Sequence, residues 1–196
     1  MKIAYCIAST CRSGGMERVL AGKANWLAAH GHRVDIITTD QRGRKPFFAL
    51  DPTIRCHDLG IDYEANNGGP LLKKLAQYPL KQWRHRRRLR RLLASLQPDV
   101  TVSMADNEAA ILPSLAEGGR KVMEVHFSRY KRLQYDRRGL WGLIDRRRFR
   151  HDLLTARRYD RFVTLTEEDR GYWQGVDGAV AIPHAAPRSG LKRRPT

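Results

Sequence analysis

A short apolar run, Ile3 to Ala8, ends at a glycine pair, Gly14-Gly15, and a helical pattern follows at once. Met16, Val19, Leu20, Leu27 and Ala28 recur at helical spacing, with polar residues falling largely between them. That periodicity marks one apolar helix face. A glycine pair between strand and helix lets backbone N–H groups approach an anion, and the helix N-terminus adds the positive end of its dipole. The spacing is not GxGxxG and lacks the Lys-Ser/Thr ending of a P-loop. The pair therefore fits two demands: a tight turn that needs backbone freedom, or the approach of a phosphorylated ligand.

The same alternation continues along the chain. Lys2–Ala8 reads as a strand, Glu17–His30 as a helix closed by Gly31, and Arg33–Thr38 as a second strand, since a glycine just past the last apolar position is a helix stop. Ile54–Leu59 fits a third strand, and Gly68-Gly69-Pro70 is a break. Leu71–Leu96 reads as helical and divided at Pro79, with Pro98 beyond its end, because proline removes a helix hydrogen bond. Asp99–Ser103, Lys121–His126, Arg161–Leu165 and Ala179–Ile182 read as further strands. Asn107–Glu117 reads as a short helix ended by Gly118-Gly119, and Leu140–Tyr159 as a basic helix. Thr166 and Asp169 form a helix-start box.

Strands alternating with crossover-length helices imply an α/β fold: a doubly wound, mainly parallel sheet with helices on both faces. Residues 1–184 form that domain, and 185–196 read as a linker or disordered tail. Ligands in such sheets sit outside the carboxyl ends of the strands. Those ends are Ser9–Gly15, Thr39-Asp40, Met104–Asn107, His126–Arg129 and Thr166-Glu167.

The charge balance narrows the partners. The chain carries 37 Lys+Arg against 20 Asp+Glu, a net charge of +17, which draws it to nucleic acid, anionic lipid or a phosphorylated substrate. No apolar run approaches the roughly 20 residues of a membrane span. The opening reads as a first strand and not a secretory signal, because Arg12 and the glycine pair interrupt it. Cys6, Cys11 and Cys56 make no metal-binding spacing and fit a reducing cytoplasm. Cys6 and Cys56 fall in strand-like segments and read as small core residues.

With this order in place, several segments carry a resemblance: KIAYCIAS followed by SGGMERVL, then NWLAAHGHRVDIIT, PDVTVSM, KVMEVHFS, RFVTLTEEDRGYW and AIPHAAP. The ordered set resembles the N-terminal, acceptor-binding half of a family-4-type retaining glycosyltransferase of GT-B architecture, with a Rossmann-like fold. SGGMERVL is similar to that family's Gly-Gly-x-Glu-Arg signature. His184 stands where the family commonly has Asn. The family's second domain, which would supply most nucleotide-sugar contacts and a carboxylate pair, is missing from the sequence. The resemblance thus implies a truncated chain with little turnover of its own.

The same resemblance implies transfer of a hexose from a nucleotide-sugar donor to an envelope glycolipid or polysaccharide acceptor with retention. It implies no cofactor and no essential metal. Gly14 and Gly15 would face the donor diphosphate. His126 would point into the cleft toward the transferred sugar as the catalytic candidate, the alternative being a structural histidine. Arg18, Asn107, Ser128, Arg129 and Lys131 are candidates for acceptor or anion binding. Arg18 alternatively pairs locally, and Asp106 or Asn107 alternatively caps a helix. Asp35 or Asp40 offers the ribose-binding acid that a different nucleotide enzyme would need.

The basic runs have a separate meaning. Arg84, Arg86, Arg87, Arg88, Arg90 and Arg91 surround Trp83 and interleave with Leu89, Leu92 and Leu93; a second run is Arg146-Arg147-Arg148 with Arg150, and Arg157-Arg158 follow. An amphipathic basic helix with tryptophan at its edge suits an anionic bilayer surface, each basic residue adding about 1 kcal/mol. The expected location is cytoplasmic, peripheral at the inner face of the cell membrane. The alternative is a non-catalytic basic module on membrane or RNA. No nucleic-acid module is evident and few aromatics interleave the arginines, so no specific nucleic-acid partner is expected.

Overall fold

The computed structural model describes residues 1–66, 71–126, 150–173, 175–176 and 178–182. Among them, seven strands form one sheet: β1 (Lys2–Ile7), β2 (Arg33–Thr38), β3 (Arg55–Asp58), β4 (Val100–Ser103), β5 (Arg120–Glu124), β6 (Arg161–Thr164) and β7 (Ala179–Ala181). Their order is β3-β2-β1-β4-β5-β6-β7, and every neighbouring pair is parallel. The chain thus builds outward from β1 to β3, returns, and lays β4 on the other side of β1. Strand order reverses between β1 and β4, and a crevice opens there above the carboxyl ends.

β1 is apolar on both faces, as a central parallel strand must be. Ile3, Tyr5 and Ile7 pack with Val34, Ile36, Val102 and with Leu20 and Ala24 of helix α1 (Gly15–Ala29). Ala4 and Cys6 pack with Ile37 and with Leu89, Leu93 and Leu96 of helix α2 (Leu71–Leu96). The two helices therefore cover opposite faces, joined to the sheet by stripes at i, i+4 and i+7 spacing. The parallel sheet with covering helices agrees with the fold expected from the sequence.

Three local expectations need correction. Helix α2 is not divided at Pro79; the proline lies inside one continuous helix. Proline removes one hydrogen bond and crowds the preceding turn, but the buried stripe of Leu89, Leu93 and Leu96 holds the rest of the helix to the sheet. Asn107–Glu117 is not an α-helix but a series of turns with a short 3-10 segment, Leu112–Ser114. Pro113 lacks a donor, and the buried Glu108 carboxylate binds the backbone N–H of Asp106 and the Ser103 hydroxyl instead of facing outward. Gly118-Gly119 turn the chain tightly into β5: Gly119 has φ 60°, and a Cβ there would meet Asp99 O at 2.3 Å. Cys56 is exposed, not core, because it sits on edge strand β3 beside exposed Arg55 and Asp58.

Thr166 caps the helix Glu167–Tyr172 as expected, its hydroxyl accepting from the Asp169 N–H at 3.0 Å. Of the Leu140–Tyr159 stretch residues 150–159 are described: 150–156 are helical, and 157–159 form a turn and not the expected last helical residues. Gly68-Gly69-Pro70, Arg146–Arg148, His184 and the tail 185–196 lie outside the described residues.

A helix that continues through an exposed proline carries a removable defect. Pro79→Ala is expected to raise folding stability by about 1–3 kcal/mol, read by denaturant unfolding. An unchanged or lower midpoint would show that α2 needs the proline.

Candidate active site

Ala8, the residue after β1, is held from both sides. Its carbonyl accepts from the N–H groups of Thr39 at 3.1 Å and Asp40 at 2.9 Å, beyond β2. Its own N–H donates to Asp106 Oδ2 at 3.1 Å, beyond β4. Ala105, with φ 60°, turns the chain after β4 so that Asp106 can reach across. Asp106 Oδ1 also accepts from the Asn107 N–H at 2.9 Å. The ends of three strands are thus tied together at the point where strand order reverses.

A cleft of ≈ 450 Å³ opens on this floor. Its walls include Ser9, Arg12, Gly15, Glu17, Glu64 and Asn107, with Asp106 beneath. Gly15 is the first residue of α1 and Gly14 its N-cap. The two glycines do different things. A Cβ on Gly14 would lie 2.2 Å from Glu17 Oε2, so the Glu17 carboxylate occupies that space. A Cβ on Gly15 would meet nothing within 4 Å, so its backbone faces open cleft at the positive end of α1. Arg12 pairs with Glu64.

Asn107 lines this cleft as the sequence suggested. Arg18 does not; it is exposed on the first turn of α1, outside the lining residues. His126 follows β5, but its side chain is only 3% exposed and its Nε2 lies 3.2 Å from Glu124 Oε1. Lys23 of α1 binds the same buried carboxylate. Those two partners hold the Glu124 carboxyl below its ordinary range despite burial. The ring is therefore enclosed and does not line the cleft, against its expected place there. Ser128, Arg129 and Lys131 lie outside the described residues.

The cleft contains two participants the sequence left unmarked. Arg12 follows the first strand, yet nothing in its spacing singles it out; Glu64 comes from the 3-10 turn Tyr63–Asn66, past the end of β3. Glu64 reaches the site because its N–H donates to the buried Asp40 carboxylate at 2.9 Å. No periodicity signals such a contact.

Neither acid proposed for a ribose is placed to meet one. Asp35 is buried in the middle of β2, with Arg55 Nη2 and His57 Nε2 each 2.8 Å away. Burial raises its pKa, but the Arg55 guanidinium and the hydrogen bonds from Arg55 and His57 outweigh it and lower the carboxyl. Asp40 is fully buried and accepts from Thr39 Oγ1 at 2.6 Å.

On α2, Trp83 is 55% exposed and Arg87 stacks over its ring, 5.3 Å from the centroid. Arg84, Arg86 and Arg91 are exposed beside them. Two arginines of the run are engaged within the fold. Arg88 donates to the carbonyls of Leu59 and Gly60, and Arg90 Nε pairs with Glu117 at 3.1 Å. No helix among the described residues is long and apolar enough to cross a membrane.

Comparison with known proteins covers most of the chain. Residues 13–184 match Glycosyltransferase Family 4. An uncharacterized glycosyltransferase of Haemophilus influenzae is 27% identical over 173 residues, 88% of this chain and 43% of that protein. Among solved structures, sucrose-phosphate synthase from Thermosynechococcus elongatus superposes with a TM-score of 0.69 at 14% identity, covering 93% of this chain and 47% of that one. The lipopolysaccharide outer core galactosyltransferase WaaB superposes at 0.59 with 13% identity, covering 93% and 45%. These proteins share the fold, and the chain spans less than half the length of each.

The cleft floor also stores a titration. Glu108 is 1% exposed, and burial, with Asp106 nearby, pushes its carboxyl up to about 7, against the bonds from Ser103 and Asp106. Its folded pKa lies above the unfolded value, so the folded state holds the proton longer. Its stabilising contribution is complete at acid pH and is lost as pH rises toward and through 7. Glu108→Gln is therefore expected to gain stability relative to the parent chain as pH rises from about 5 to 8. A stability difference that stays flat across that range would contradict this.

Proposed function

Because the chain belongs to Glycosyltransferase Family 4, we propose that it is the acceptor-binding half of an enzyme that moves a hexose from a nucleotide sugar, with retention, to a glycolipid or polysaccharide hydroxyl. The observation that carries this reading is the juxtaposition within one cleft. The open Gly15 backbone at the start of α1 suits the donor diphosphate. The carboxylates and amide of Glu17, Asp106 and Asn107 across the same cleft suit sugar hydroxyls. A glycosyl transfer needs both groups within reach of one anomeric carbon.

Departure of the diphosphate builds negative charge, which preorganised donors stabilise. The N–H groups at the start of α1 serve that role, and Arg12 adds a cation by leaving Glu64. Asp106 keeps the acceptor hydroxyls in register, because its own position is fixed by Ala8 and Asn107. The second Rossmann-like domain of the full enzyme supplies the remaining donor contacts. The exposed positive surface of α2 draws the protein toward an anionic membrane, where a glycolipid acceptor is presented. On this reading the enzyme works peripherally at the inner face of the cell membrane.

Gly15 separates a structural turn from a ligand approach. Its φ is not in the left-handed region and a Cβ there meets nothing. Gly15→Ala is expected to fold as well as the parent, or better by up to about 1 kcal/mol. Its calorimetric affinity for pyrophosphate is expected to fall by about an order of magnitude. Unchanged affinity would remove the diphosphate from this cleft and with it the proposal.

A further inference from the structure

The cleft does not end at Asn107. Asp106 and Asn107 also line a second groove of ≈ 490 Å³ on the α2 side, walled by Tyr78, Gln82, Met123 and Trp173. Gln82 and Ala110 carry that groove into a third, of ≈ 410 Å³, beside Trp83 and Arg86. Trp83 and Arg86 in turn border a fourth, of ≈ 510 Å³, formed with Arg87, Arg90 and Arg91. Each groove shares two residues with the next, so together they form one track from the switch point to the outer face of α2.

The chemistry changes along the track. Near the cleft it offers aromatic rings with amides: Tyr78 is exposed, and Gln82 Nε2 donates to its hydroxyl at 2.9 Å. Ring faces with a few fixed polar groups suit the apolar face and hydroxyls of a sugar. At the far end it offers guanidinium groups around an indole. Trp83 and Arg87 are stacked, and Arg86 and Arg91 are exposed beside them. Guanidinium forks bind phosphate oxygens in a bidentate manner that a general positive field does not reproduce.

We infer that the track binds an extended acceptor glycan whose phosphate group rests on Trp83, Arg86, Arg87 and Arg91 while its terminal sugar meets Asn107. The inference rests on the acceptor reading above and makes it specific: the acceptor is a phosphate-bearing oligosaccharide, recognised several units from the hydroxyl that reacts. Two weak sites joined by one ligand reinforce each other, because the second contact forms within a complex that already exists.

The test uses maltotetraose bearing a phosphate on its reducing end, plain maltotetraose, inorganic phosphate, and vesicles of phosphatidylglycerol in phosphatidylcholine. Affinities are read by calorimetry and vesicle sedimentation. The phosphorylated tetrasaccharide is expected to bind at least about tenfold tighter than either plain maltotetraose or phosphate. The double variant Arg87→Gln, Arg91→Gln is expected to reduce it to the level of plain maltotetraose. Tyr78→Ala, also a surface change, is expected to reduce it to the level of phosphate alone. Equal affinity for phosphate and phosphorylated tetrasaccharide overturns the inference, as does absence of binding by all three soluble probes. Binding to the vesicles alone overturns it too and leaves α2 as a membrane dock. None of these outcomes touches pyrophosphate binding at Gly15, on which the function itself stands or falls.

Discussion

The hold on Ala8 decides where everything else in the site goes. A parallel sheet leaves the ends of its strands unpaired, and at the point where strand order reverses there is no shared crossover to bring two ends together. Here the Ala8 backbone supplies the link, its carbonyl bound from the β2 side and its N–H bound by Asp106 from the β4 side. With that residue fixed, the loop to Gly14 starts α1 directly over the crevice. The same hydrogen bond places Asp106 on the floor of the cleft, and Ala105 accepts an uncommon backbone angle to allow it.

Charge is sorted accordingly. Among the described residues no lysine or arginine is buried, while the floor beneath the cleft gathers Asp40, Asp106 and Glu108. Burial and mutual repulsion raise Asp106, and burial with Asp106 nearby raises Glu108. Both carboxyls are tied into backbone and hydroxyl bonds, which is how buried acids are retained. The arginines of α2 stand on the opposite face of the sheet from α1, so the two positive features are separate.

Much of the fold was legible because its signals are local. Apolar runs gave the strands, and Arg33–Thr38 was placed to the residue. Thr166 announced a helix start by a spacing that works through one hydrogen bond. Three misplacements have the opposite character. The local effect of Pro79 argues for a break, whereas the Leu89–Leu93–Leu96 stripe decides the helix. Asn107–Glu117 has helical composition, yet Glu108 turns inward to Ser103. Cys56 was assigned to the core from its strand, without knowing that the strand lies at the edge. In the site, glycine pairs and strand ends could be read from sequence. The enclosure of His126 by Glu124 and the arrival of Glu64 through Asp40 are tertiary contacts with no sequence period.

The central claim is that the crevice above Ala8 receives the diphosphate of a sugar donor at the first turn of α1. A protein of this charge will bind pyrophosphate somewhere, so location matters more than affinity. A crystal structure of the chain with pyrophosphate tests it most directly. The account predicts phosphate oxygens within hydrogen-bond reach of the Gly15 backbone, with Arg12 drawn away from Glu64. Pyrophosphate bound only among the arginines of α2, with the Gly15 crevice empty, would contradict it.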